Sequence, residues 1–199
     1  MVMGKLSIAL ISAALLLLFA SVAAQENILV STRIPDCPWA DSHLDERLNL
    51  YLTSITNVPI IRRQLPAFAD TAGFTEILAW GRQQNARFLV DISMARIDLE
   101  RRKQTIFPLL LFRYRTYAVA TGTIRIIDFK KGRMTKLENI AYELKASDQW
   151  QIFDDEKDDP ELMVPADRKQ ILFDRLDDNV ALSLCEQIKA LTRGNHFGS

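Results

Sequence analysis

Phe88-Leu89-Val90-Asp91-Ile92-Ser93-Met94 is the stretch on which the reading of the fold turns. Phe88, Val90, Ile92 and Met94 fall on one side of an extended chain, and Leu89 falls on the other. A period of two with β-branched residues marks a strand, here expected to run from Phe88 to Leu99. Upstream, Phe74, Ile77 and Leu78 give the buried side of a helix near Thr71–Gln84. Asn85 stands where a helix commonly ends in a left-handed residue. A short strand, Val58–Arg63, precedes that helix and contains Pro59, which suits an edge or a strand start. Before it, Leu44, Leu48, Tyr51, Leu52 and Ile55 trace one helical face, with Asp41 or Ser42 as cap and Asn57 at the end. Ile28–Ile34, stopped by Pro35, is the first strand.

Downstream of the deciding strand, Arg113–Phe129 reads as a long fourth strand. Lys130-Lys131-Gly132-Arg133 is a hairpin turn, and Asn139–Leu144 begins a fifth strand that can extend to Phe153. Leu172, Leu176, Val180, Leu184 and Ile188 step by four along a final helix, Pro165–Leu191. The order is β-α-β-α-β-β-β-α. Two early crossovers imply adjacent parallel strands, and the later hairpins are antiparallel. The expected class is therefore α/β (α+β), a mixed sheet of about five strands with helices packed on it.

The first 24 residues carry an address. Lys5 precedes an apolar run from Leu6 to Ala20 broken by Ser7 and Ser12, and Ser21-Val22-Ala23-Ala24 offers small residues for cleavage. This is the pattern of a secretory signal peptide, cut at Ala24/Gln25. The rival is a retained membrane anchor, which needs about 20 apolar residues. No Cys stands at the cut, so a lipid anchor is not expected. Removing residues 1–24 takes Lys5 and no acid from 199 residues with 25 basic and 25 acidic side chains. That leaves 175 residues with a formal charge of −1. Residues 25–193 are read as a single domain and 194–199 as a flexible tail. A periplasmic or secreted location follows, with no spanning segment after cleavage. The balanced charge gives no pull toward nucleic acid or anionic membrane.

Cys37 and Cys185 would meet an oxidising compartment, where a bridge between the chain's two ends can persist. The alternative is two buried free thiols, which behave as small hydrophobes.

The residues point away from catalysis. The two histidines, His43 and His196, form no metal or triad motif, and there is no phosphate-binding glycine loop. No catalytic, cofactor-binding or metal residues are assigned, and no cofactor is expected. Asp154-Asp155-Glu156-Lys157-Asp158-Asp159-Pro160-Glu161 lacks the glycine and ligand spacing of a calcium loop, and reads as a solvated acidic run. Asp91, Asp98 and Asp128 are the carboxylates that a hydrolase would have to use. Two segments stand out as a possible interaction surface. Arg101, Arg102 and Lys103 form a basic cluster with Arg96 before it and Arg113 and Arg115 beyond. Ile106, Phe107, Leu109, Leu110, Leu111 and Phe112 form a wholly apolar run around Pro108, expected between strands. A loop is normally polar. The run therefore either folds under the sheet as core or faces a partner, and core or self-association is favoured over membrane contact.

Gly81-Arg82-Gln83-Gln84-Asn85-Ala86-Arg87-Phe88-Leu89-Val90 is similar to a helix-end, turn and strand of the "GADYLV" kind. Tyr117–Asp128 with Gly132 resembles an "A-x-x-x-x-x-R-x-x-D-x-x-x-G" strand and turn. Together these resemble the α/β domain of the curli secretion channel subunit, the lipoprotein activators of penicillin-binding proteins, and the amino-terminal domain of the Tol propeller protein. The resemblance implies an envelope binding or assembly part, not an enzyme, and supplies no catalytic residue. The chain departs from the lipoprotein members in lacking a lipobox Cys and from the channel in lacking membrane-spanning hairpins. The function expected is a non-enzymatic exported envelope domain that binds or scaffolds another envelope protein. The alternatives are a subunit of an oligomeric assembly or secretion complex, or a carboxylate-dependent hydrolase.

Overall fold

The computed structural model describes residues 27–55, 59–65, 73–108, 110–152 and 162–193. The leader, the acidic run at 154–161, Leu109 and the tail lie outside these residues. The elements are β1 (Asn27–Arg33), α1 (Leu44–Ile55), β2 (Ile60–Arg62), α2 (Phe74–Gln83), β3 (Ala86–Phe107), β4 (Leu111–Asp128), β5 (Arg133–Ile152) and α3 (Ala166–Arg193). They build one five-stranded sheet in the order β2-β1-β3-β4-β5. β1 runs parallel to both β2 and β3, as two crossovers require, and β3-β4-β5 is an antiparallel meander. This is the mixed α/β sheet expected from the pattern.

Alternation sorts the sheet's two faces. Ile28, Val30, Phe88, Val90, Ile92 and Met94 face Leu44, Leu48 and Leu52 of α1 and the Leu176–Val180–Leu184–Ile188 stripe of α3, all buried. Leu29, Leu89, Ile127 and Phe129 point the other way and close on Ile77 of α2. Gly81 is required where α2 crosses Phe129: a Cβ there would sit 2.0 Å from the ring. Asn85 ends α2 with φ 50°, the left-handed stop expected of it. Phe74, expected inside, is exposed. Its turn opens the helix before α2 reaches the sheet.

The cap of α1 differs from expectation. Neither Asp41 nor Ser42 caps it. Instead the Asp177 carboxylate, from α3, accepts the His43 backbone N–H at 2.7 Å and the Ser42 hydroxyl at 3.2 Å. A residue 134 positions away thus satisfies one of the helix's orphan donors.

The larger correction is strand length. β3 was expected to stop at Leu99 and instead runs 22 residues; β5 runs 20. β1 accompanies β3 only to the Arg33–Ser93 pair, so from Met94 onward β3 has β4 as its sole strand partner. The three long strands therefore project past the parallel part of the sheet as a blade. At about 3.3 Å per residue its reach beyond Ser93 is up to about 45 Å.

Cys37 and Cys185 are not bridged. Cys37 lies half-buried in the loop after β1, close enough to Asp98 and Asp177 to feel their charge. Cys185 is eight residues beyond Asp177 on α3, about 12 Å along the helix axis. Its thiol is buried, set against the Leu48 carbonyl, and burial pushes it up to about 12.

Candidate functional site: the tip of the blade

Each strand of the blade presents one side chain per face at every second position. On the face that carries α3, Phe112 and Tyr114 pack against Met163, and the Thr116 hydroxyl donates to the Leu162 carbonyl at 2.5 Å. Leu162 and Met163 both have positive φ, 52° and 61°. Two successive left-handed residues without glycine cost on the order of 1–3 kcal/mol each, so the packing and the Thr116 bond must hold them. Arg101 lies over the Tyr114 ring at 4.2 Å, and Lys103 over Phe112 at 4.2 Å.

The opposite face has no helix on it past Ile127. It carries a ladder of ion pairs instead. Arg96 reaches Asp98 and Glu100, and Arg102 joins Glu100 to Glu143 across the sheet. Arg113 grips Asp148 with two bonds of 2.7 Å, while Arg115 at 3.7 Å and Lys145 share the same carboxylate. Arg102 stacks on Tyr117 and Arg113 on Trp150. The Arg113 and Lys145 bonds hold the Asp148 carboxyl far below its ordinary value.

At the far end, the pairs Phe107–Leu111 and Leu111–Ile152 bring three strand ends together. There Ile106, Phe107, Leu110, Trp150 and Ile152 are exposed, Phe107 by 63% and Ile152 by 70%. An exposed apolar cluster at the end of a charged blade lies outside the core. The expected interaction surface is thus divided. Arg101, Arg102, Lys103, Ile106, Phe107, Leu110 and half-buried Leu111 gather at or just below the tip, whereas Phe112 turns inward and is buried. Nor is the run a loop: Ile106 and Phe107 end one strand, and Leu111 and Phe112 begin the next. Sequence reasoning missed Trp150 and Ile152. Their spacing of two beside Asp148 was the available signal.

The hydrolase reading loses its geometry. Asp91, almost fully buried, is held by Arg125 at 2.8 Å and Arg33 at 3.6 Å. Asp128 accepts the Lys131 backbone N–H at 2.9 Å in the β4–β5 turn, and alternation along β4 puts it on the opposite face to Arg125. Asp98 takes the Trp39 indole N–H at 2.5 Å. Burial works against its charge, but Trp39, the Leu99 N–H and Arg96 outweigh it and hold the carboxyl below its usual value. The three acids thus serve three separate structural contacts. Among the described residues no cluster of His, Cys, Asp or Glu is placed to hold a metal ion, and no helix is long and apolar enough to cross a membrane.

No family model matches the chain, and no curated protein does. Among solved structures the likenesses are distant. A hypothetical protein from Chlamydia trachomatis is 10% identical with TM-score 0.45, covering 81% of this chain and 96% of its own. A neuraminyllactose-binding hemagglutinin homolog from Helicobacter pylori is 7% identical with TM-score 0.44, over 83% and 84%. The rare lipoprotein B of Shewanella oneidensis is 11% identical with TM-score 0.40, over 85% and 98%. Likenesses this distant assign no function. The α/β arrangement that the sequence resemblance implied is present, while the resemblance to the curli, activator and Tol domains still rests on its motif residues. Two of those have clear structural work: Arg125 neutralises buried Asp91, and Asp128 ties the turn that Gly132 closes at φ 63°.

Proposed function

We propose that this chain is a non-enzymatic exported domain of the cell envelope that binds another envelope protein through the tip of its blade. The observation that carries the reading is the exposed cluster Ile106, Phe107, Leu110, Trp150 and Ile152 above a collar of stacked and ion-paired cations. The leader at 1–24 supports the address, and residues 25–193 form the working domain; sequencing of the exported protein is expected to start at Gln25. Aromatic and arginine anchors set in a charged rim are what protein interfaces use for most of their binding energy.

The test is photocrosslinking in intact cells. A benzoylphenylalanine at Phe107 or Leu110 is expected to capture one discrete partner band, and the same probe at exposed Leu50 on α1 is not. Equal capture from all three sites counts against the tip. Self-association is a second reading, favoured by the outer edge of β5, which has no strand neighbour among the described residues. Light scattering decides it: a monomer at high concentration removes it.

A further inference from the structure

Below the tip, on the α3 side, the outer edge of β5 and the first turns of α3 enclose a groove of about 630 Å³. Its apolar wall is Val164, Ile171 and Leu172, facing Ala146 on β5. Ile171 is 62% exposed, unusual for an isoleucine in mid-helix. Arg168, Ile171 and Arg175 fall at i, i+3 and i+7, so one helix face presents two arginines with an apolar residue between them. Both arginines are exposed, and neither makes an ion pair among the described residues. The groove's one carboxylate, Asp148, is already taken by Arg113 and Lys145.

The β5 side is equally unfinished. The register shifts between the Thr116–Ser147 and Tyr117–Lys145 pairs, leaving Ala146 as the extra residue of a bulge. A bulged residue drops out of the ladder and its strand bends. The Ser147 Oγ is buried without a hydrogen-bond partner. The groove therefore pairs a free strand edge with a positively charged, partly apolar helix face.

We propose that this groove binds an extended segment of a partner protein in which two carboxylates four residues apart flank an apolar residue, all three on one side of the strand. Its backbone lies along the β5 edge, the apolar side chain rests on Ile171 and Leu172, and the two carboxylates meet Arg168 and Arg175. The two arginines are seven residues apart, about 10.5 Å along the helix. An extended strand returns to the same side every two residues, about 6.6 Å. Carboxylates four residues apart span about 13 Å and leave one same-side position between them for the apolar residue, and the long arginine side chains close the difference. Strand addition to an exposed edge supplies affinity from the backbone and specificity from alternate side chains.

Fluorescence anisotropy of the mature chain with a labelled (Asp-Ser-Val-Ser)2-Asp peptide, which sets Asp and Val on one side and Ser on the other, tests this. Saturable binding is expected, weakened at least tenfold in Arg168→Glu/Arg175→Glu and in the milder Arg168→Ala/Arg175→Ala. Alternate N-methylation of the peptide should weaken it as much, and (Lys-Ser-Val-Ser)2-Lys should not bind. A Phe107→Ser/Leu110→Ser variant, which disables the tip, should bind the peptide unchanged, so this groove and the tip fail separately. Equal binding of the lysine peptide, indifference to N-methylation, or no saturation at millimolar peptide would overturn the proposal. So would binding that emerges only when Asp154, Asp155, Asp158 and Asp159 are neutralised, since the chain's own acidic run would then be the occupant.

Discussion

Asp177 carries a cost and a benefit in one side chain. It caps α1 through the His43 N–H, yet burial raises its carboxyl above the ordinary value. A folded-state pKa above the unfolded one means that protonation favours folding. The associated stability is fully present below the unfolded pKa of about 3.9 and is lost as pH rises through the folded value. Asp177→Asn keeps an acceptor for His43 and removes the charge, so this loss should vanish from a pH series of urea midpoints. Asp177→Ala should instead cost about 1 kcal/mol at neutral pH, the usual worth of a cap. Asp148 acts with the opposite sign: its carboxyl is depressed, so its contribution is present above the unfolded pKa and is lost as pH falls. Gly81→Ala is expected to destabilise by about 1–3 kcal/mol through overpacking, with Phe129→Leu in the same chain recovering part of the loss. The thiols make a simpler case: both are free in the structure, so labelling of the denatured, non-reduced protein should modify both Cys37 and Cys185, and a protected pair would show a bridge.

At the scale of elements, the sequence was most legible where one face is buried and the other wet. The α3 stripe and the Phe88–Met94 alternation both read directly, because burial writes a hydrophobic period. The second half of β3 did not. From Glu100 to Gln104 the chain is continuously polar, since one side bears the ion ladder and the other stacks cations on Tyr114 and Phe112. A strand whose sides are both charged carries no apolar period, so it reads as a turn. The run Ile106–Phe112 misled in the converse way. Its residues are apolar for different reasons, Phe112 as core and Phe107 as exposed tip, and only residues 108–110 separate the two strands. The candidate site was half legible: the β3–β4 contribution was visible, while Trp150 and Ile152 required knowing how far β5 extends. Thr116→Val tests the element that braces this region. Loss of its bond to Leu162 should cost about 1 kcal/mol in denaturant unfolding and expose the left-handed pair, read as faster proteolysis near residue 162.

For the whole molecule, two faces of unequal cover set the division of labour. One face of the sheet is sealed by α1 and α3 along most of its length. The other is sealed only at its base by α2, and the blade beyond relies on cross-strand charge and stacked aromatics. Exposed pairs of this kind are individually weak and screened by salt. High salt should therefore loosen the blade before the base, seen as earlier hydrogen exchange in residues 100–104 and 145–149 than in 88–92.

The packing of α1 on α3 also has a consequence for biogenesis. The two helices pair across more than a hundred residues of chain, and α3 is the last of the described elements. Leu44, Leu48 and Leu52 therefore have only the strands of the sheet to cover them until residues 176–188 have been synthesised. The meander can zip up locally, turn by turn, but the amino-terminal third must wait. A chain stalled before residue 166 would display a greasy helix face, which makes such intermediates natural clients for a holding chaperone.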